Sequence, residues 1–220
     1  MQPEDTLATL ATKHPGASRV FQRHGLDFCC HGNISLADAC EQHTLDPSAL
    51  LTELAAEAAT ADAPLIAWDE KPLPELVDFI LSHYHEPLRS ELPRLSALAR
   101  KVERVHREKA TVPVGLADHL EKMLDSLERH MNKEEQVLFP AINAGRGRQA
   151  VMPVQVLEHE HEDHAEELAR LRELANGFAP PEEACTTWRA LYLGLEQFER
   201  ELMEHIGLEN NVLFPRALRS

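Results

Sequence analysis

The sequence predicts an all-α protein: an up-down bundle of four long helices preceded by a small helical domain. Three observations carry this. An eleven-residue stretch occurs twice, each time at the end of an apolar stripe with helical spacing. Four long segments share that spacing and are joined by short connections, as in an antiparallel bundle. No stretch alternates polar and apolar residues as a half-buried strand does.

The repeat is the organising feature. His130-Met131-Asn132-Lys133-Glu134-Glu135-Gln136-Val137-Leu138-Phe139-Pro140 returns as His205-Ile206-Gly207-Leu208-Glu209-Asn210-Asn211-Val212-Leu213-Phe214-Pro215, with six of eleven positions identical. Residues four apart share a helix face, so each copy sets an imidazole beside a carboxylate. The first stripe runs Leu116, Leu120, Met123, Leu127, His130, Glu134, Val137, and the second Trp188, Leu191, Leu195, Phe198, Leu202, His205, Glu209, Val212. Both Glu therefore occupy core positions. A buried carboxylate needs a cation or a proton. A buried Glu–His pair explains one copy alone; two copies ending in the same apolar cluster point to metal.

The N-terminal elements are short. Helices are expected over Thr6–Thr12 and, after Pro15, over Gly16–His24, ended by Gly25. Leu26-Asp27-Phe28-Cys29-Cys30-His31-Gly32 reads as a tight loop. Ser35 caps a helix over Leu36–His43 with Asp38 at the capping-box position, and Asp46-Pro47 opens Ser48–Ala59. This gives an N-terminal domain over 1–60. Ala61–Pro74, with Pro64, Pro72 and Pro74, reads as a linker over 61–74.

The bundle fills 75–220. Its first helix is expected over Pro74–Glu108, kinked at Pro87 and Pro93, and its second over Val114–Ile142. The third is expected over Pro153–Ala175, and the fourth from Pro180-Pro181 to at least Asn211. The first and third helices offer further imidazoles. On the third, His161 lies on the apolar line, His164 is its rival, and His159 is turned away. On the first, His85 falls in the series Leu81, His85, Leu88, Leu92, Leu95, whereas His83 groups with Phe79 and Ile80.

Four imidazoles and two carboxylates exceed a tetrahedral zinc site. They suit two metals with both Glu bridging, an oxide or hydroxide bridge as a further ligand, and one open position on each ion. Imidazole with carboxylate suits iron. Ferritin-like sites use Glu-x-x-His and more carboxylate; this chain has His-x-x-x-Glu and more nitrogen.

Composition narrows the partners. Lys+Arg is 22 against 37 Asp+Glu, a formal net charge of −15, which argues against nucleic acid and anionic membrane surfaces. No apolar run of about 18 residues and no signal-peptide pattern occurs. The four Cys, two of them adjacent, form no disulfide framework and fit a reducing compartment. The expectation is a cytoplasmic protein. Cys40 and Cys185 read as packing residues on apolar helix faces.

His85, His130-x-x-x-Glu134, His161 and His205-x-x-x-Glu209 on four antiparallel helices resemble the hemerythrin-like fold. With Leu-Phe-Pro after each pair, Asp27-Phe28-Cys29-Cys30 near the N-terminus, and the run Glu183-Ala184-Cys185-Thr186-Thr187-Trp188, nearly the whole chain resembles the iron–sulfur cluster repair di-iron proteins (RIC, or YtfE/ScdA-type). The resemblance implies two non-haem irons held by His85, His130, His161 and His205, bridged by Glu134 and Glu209, with Glu160 behind them. It implies repair of iron–sulfur clusters damaged by nitrosative or oxidative stress, through iron release or nitric oxide handling. Proteins with damaged clusters would be the partners, nitric oxide or O2 the small ligand, and a homodimer is compatible with it. Cys29 and Cys30 would act as thiols passing iron or nitric oxide. The family loop reads Cys-Cys-Gly-Gly; here His31 replaces the first Gly, either as a charged neighbour of the thiols or as a surface change. The alternatives are a hemerythrin-type O2 or NO carrier or sensor and a di-iron nitric oxide reductase. The carrier would want an additional His and an Asp and no Cys-Cys module; the reductase would be a turnover enzyme rather than an iron donor.

Overall fold

The computed structural model describes residues 1–60 and 66–220. The described residues are helical throughout apart from loops and one isolated bridge between Thr6 and Ser35. Of the expected linker, 61–65 lie outside the described residues.

In the N-terminal part, α1 (Leu7–Lys13) is capped by Thr6, whose Oγ1 accepts the Thr9 N–H at 3.2 Å. Then follow α2 (Ala17–Arg23), α3 (Leu36–His43) and α4 (Pro47–Ala59). Ser35 Oγ accepts the Asp38 N–H at 3.1 Å, and Asp46 Oδ1 accepts that of Ser48 at 2.9 Å. These side chains satisfy N–H groups that a helix start leaves without partners.

The bundle comprises α5 (Leu73–Ile80) with α6 (Glu86–Val105), α7 (Leu116–Lys133) with α8 (Phe139–Asn143), α9 (Val151–Leu174), and α10 (Thr186–Leu208) with α11 (Phe214–Ala217). Pro180-Pro181 precedes the fourth helix instead of opening it; Cys185 is the residue before its first turn. Cys185 is accordingly exposed rather than packed on an apolar face, with its Sγ 3.2 Å from His106 Nε2. Cys40 is buried as expected.

Three wide turns join the paired segments: Leu81–His85, Glu134–Leu138 and Glu209–Leu213. In each, the N–H after the turn reaches the carbonyl five residues back: Glu86 to Leu81, Phe139 to Glu134, Phe214 to Glu209. Each of these three N–H groups belongs to the residue just before a proline (Pro87, Pro140, Pro215). Proline donates no hydrogen bond and collides with the carbonyl four residues earlier in a regular helix, so the wider π-turn relieves both faults. Pro87 thus sits after a π-turn, and Pro93 lies inside α6 without ending it.

Each π-turn inserts a residue and rotates the remainder of the helix about its axis. The regular spacing expects Val137 to face inward, but Val137 is 52% exposed and Leu138 is fully buried. In the second copy Val212 and Leu213 are both buried.

Among the described residues, two apolar clusters fill the interior. One joins Leu88, Leu92, Leu95, Leu120, Leu127, Trp188 and Leu195 to N-terminal residues such as Leu10, Phe21 and Leu36, so the short helices share a core with the bundle. The other gathers Leu76, Ile80, Leu138, Phe139, Leu157, Leu213 and Phe214. The repeated His and Glu lie along the chain between them, in a polar layer with apolar residues on either side.

Candidate metal centre

Every helix of the bundle contributes to this layer. His85 ends the first π-turn; Glu134 and Glu209 begin the other two. His130 and His205 lie one regular turn before those Glu, and His161 comes from the middle of α9. All six are buried.

The structure brings them together as two groups of four. His85, His205, Glu134 and Glu209 form one; His130, His161, Glu134 and Glu209 form the other, with ligand atoms in each within 4.8 Å of one another. Both carboxylates belong to both groups. Each imidazole turns Nε2 inward: His85 and His205 meet at 3.3 Å, His130 and His161 at 3.0 Å. Glu209 is 3.1 Å from His205 Nε2 and 3.2 Å from His161 Nε2. Glu134 is 3.4 Å from His85 and 3.6 Å from His130, without hydrogen-bond alignment.

Three of the four outward nitrogens are held. His85 Nδ1 lies 2.7 Å from Glu135 Oε1, which also binds Arg89 at 2.9 Å. His130 Nδ1 lies 3.0 Å from Glu160 Oε2, and Lys133 holds the other oxygen of Glu160. His161 Nδ1 lies 2.7 Å from Asn210 Oδ1. Such contacts fix the ring and leave the other nitrogen free as a ligand. His205 Nδ1 has no partner among the described residues; Tyr84 stacks on that ring at 4.9 Å. Phe139 and Phe214, from the two Leu-Phe-Pro runs, lie against His85 and His161, each at 5.7 Å.

Glu135 and Asn210 are not marked by the apolar stripes. Each follows a repeated Glu, so both copies carry a polar residue there, and that correspondence is the signal the sequence offers. His164 is buried one turn beyond His161, edge-on to His130 at 5.1 Å, with Nδ1 near Glu167 at 3.1 Å and Ser126 at 3.4 Å. It falls outside both groups of four. His83 is exposed and stacks on Phe79; His159 is exposed beside Glu162.

The electrostatics call for a cation. Glu134 Oε1 and Oε2 and Glu209 Oε2 are buried without a hydrogen-bond partner among the described residues. Burial, then the charge of Glu209, raises the Glu134 carboxyl to about 8. Glu209 goes the other way: burial opposes its charge, but the nearer His205 and His161 hold it well below the usual carboxylate range. Burial also opposes the charge on His161, yet the Glu209 carboxylate 3.2 Å away raises it to about 9. Burial pushes His130 and His205 down. Two dry carboxylates among four inward nitrogens satisfy one another poorly, and a pair of divalent ions would satisfy all six.

The N-terminal loop docks against this layer. Asn210 Nδ2 donates to the Cys29 carbonyl at 3.0 Å, and Cys30 Sγ lies 3.5 Å from the His161 carbonyl. Asn211 Nδ2 donates to the Phe28 carbonyl at 3.3 Å. A Cβ at Gly207 would stand 3.3 Å from the Phe28 ring. Within the loop, a Cβ at Gly32 would lie 2.2 Å from the Phe28 carbonyl oxygen, so Gly32 cannot carry a side chain. His31 is exposed and fits. Its hydrogen bond to Asp27 raises its pKa, but the Cys29 thiol is still pushed well above its usual value, first by its contact with Cys30 and then by burial.

A four-helix bundle turning buried imidazoles onto two shared carboxylates defines a cation-binding protein of the hemerythrin class. Residues 76–217 match the hemerythrin HHE cation binding domain, and residues 3–58 match ScdA_N, a domain of unknown function. The chain is 48% identical over 214 residues, 97% of its length and 96% of the relative's, to the iron-sulfur cluster repair protein YtfE of Yersinia pseudotuberculosis serotype IB (strain PB1/+). The protein of that name from Yersinia pestis (strain Pestoides F) has the same identity and coverage. The chain belongs to the hemerythrin HHE family and, end to end, to the YtfE family within it. No described helix is long and apolar enough to cross a membrane.

Proposed function

We propose that the protein repairs iron–sulfur clusters damaged by nitrosative or oxidative stress, using iron held by His85, His130, His161, His205, Glu134 and Glu209. The observation that carries the reading is the sharing of Glu134 and Glu209 between two four-residue groups in a dry layer. The donor set fits two iron ions, which the four imidazoles and the two shared carboxylates would hold. Bound there, iron would bind nitric oxide or O2 and would itself be the cargo for a damaged cluster.

The chain's own residues do the rest. Glu135, Glu160 and Asn210 orient three imidazoles, and Phe139 and Phe214 keep water from the ring faces. Residues 75–220 act as the iron-holding bundle and 1–60 as a thiol-bearing module whose Cys29 and Cys30 pass iron or nitric oxide. Free thiols suit a reducing cytoplasm.

The test is reactivation of a nitric oxide-treated iron–sulfur enzyme by iron-loaded protein. Recovery with loaded protein, and none with the metal-free form or with free iron at equal concentration, is expected. Equal recovery with free iron would defeat the proposal. Cys30→Ser is expected to keep the iron absorption and to repair more slowly; undiminished repair would make that thiol incidental.

A further inference from the structure

The cysteine loop is built around one carboxylate. Asp27 Oδ1 accepts the N–H of Cys29 at 3.1 Å and of Cys30 at 2.9 Å, and the Cys29 thiol points at the same oxygen from 3.2 Å. Asp27 Oδ2 is held by His31 Nδ1 at 2.6 Å. The two sulfurs stand 3.8 Å apart. Asp27, Cys29 and Cys30 each offer a ligand atom, and those atoms lie within 4.8 Å of one another.

These separations match a chelate. A tetrahedral divalent ion binds thiolate at about 2.3 Å, which places two of its sulfurs about 3.8 Å apart. The carboxylate oxygen lies where the Cys29 thiol now directs its proton, so an ion can take that proton's place. Cys29 is buried, Cys30 and Asp27 are half-buried, and His31 is exposed; the cluster is closed on the bundle side and open toward solvent.

We infer that Asp27, Cys29 and Cys30 form a second cation station, distinct from the His/Glu layer, that takes a thiophilic divalent ion with its fourth position open. Binding forms two metal–thiolate bonds and one metal–carboxylate bond and releases two thiol protons to solvent; nothing is oxidised or reduced. The open position admits water or a thiolate of another protein. His31 steadies Asp27 from outside, and Asn210 anchors the loop beside His161. That iron(II) is the cargo passing through rests on the repair function proposed above; the station itself does not.

Cobalt(II) added to reduced, metal-free protein tests it. Sulfur-to-cobalt charge transfer in the near ultraviolet reports thiolate ligation alone, since the His/Glu layer offers only nitrogen and oxygen, and Cys185→Ser removes the one exposed thiol of the described bundle from the assay. The station predicts this band at one cobalt per chain, still present in Glu209→Leu, whose bundle site is impaired. It predicts loss of the band in Cys29→Ser and Cys30→Ser, and at least a ten-fold weaker affinity in Asp27→Asn, which keeps the oxygen that caps the loop. No band in the reduced wild type, or equal affinity in Asp27→Asn, would overturn it. Iron content of Cys29→Ser, measured separately, reports the bundle, so either reading can fail alone.

Discussion

Asn210 binds His161 and the cysteine loop at once: its Oδ1 lies 2.7 Å from His161 Nδ1, and its Nδ2 donates to the Cys29 carbonyl at 3.0 Å. One amide thus fixes the ring of an inward-facing imidazole and the position of the thiols. Removing such an outer partner costs metal sites about 10–100-fold in affinity. Asn210→Ala is expected to weaken iron retention by that order in chelator competition, and to speed alkylation of Cys30. Unchanged values in both would leave Asn210 without this role.

Glu209 is buried with its charge held between His205 and His161. Removing one partner of a buried charge pair leaves the other unpaired, so in Glu209→Leu the His161 ring sheds its proton, and an ion bound in the layer would lose a ligand. Glu209→Leu is expected to lose iron while its bundle stays folded, read by circular dichroism of the metal-free form. Retention of two irons per chain would remove Glu209 from the ligand set.

The pH dependence of the metal-free protein has its origin in the same layer. The folded-state value of Glu134, about 8, lies above its ordinary 4.5, so the stability it supports declines as pH climbs between them. His161, raised from 6.5 to about 9, contributes stability that is complete below 6.5 and gone above 9. His130 and His205 are lowered, so their effect is confined to pH below about 6.5. Metal-free protein is therefore expected to lose on the order of a few kcal/mol between pH 6.5 and 9, read by denaturant unfolding. Loaded protein, its ligands already deprotonated, is expected to show little of this slope. Equal slopes would contradict the charge assignment.

Gly32 sets the shape of the thiol loop. A Cβ there would meet the Phe28 carbonyl oxygen at 2.2 Å, so the backbone has to move. Gly32→Ala is expected to destabilise the protein by on the order of 2 kcal/mol and to expose Cys29 to alkylation. His31→Gly, at an exposed position, is expected to melt like the wild type.

Much of this is legible in the chain. The doubled His-x-x-x-Glu, at the end of two apolar stripes, locates Glu134 and Glu209 in the interior, because a regular helix holds up to those residues. Beyond them the regular period fails. The prolines at 87, 140 and 215 force π-turns, and the expected inward face passes from Val137 to Leu138. Glu135 and Asn210 lie hidden for the same reason, since a 3.6-residue period turns the residue after each Glu away from the site. The docking of Cys29 and Cys30 beside His161 joins residues about 130 apart in the chain, and nothing local encodes it.

Iron content with Mössbauer spectroscopy of the purified, iron-reconstituted protein bears most directly on the shared carboxylates. Two irons per chain, magnetically coupled through common ligands, are the predicted result. A single iron, or two that behave independently, would contradict a layer in which Glu134 and Glu209 serve both ions.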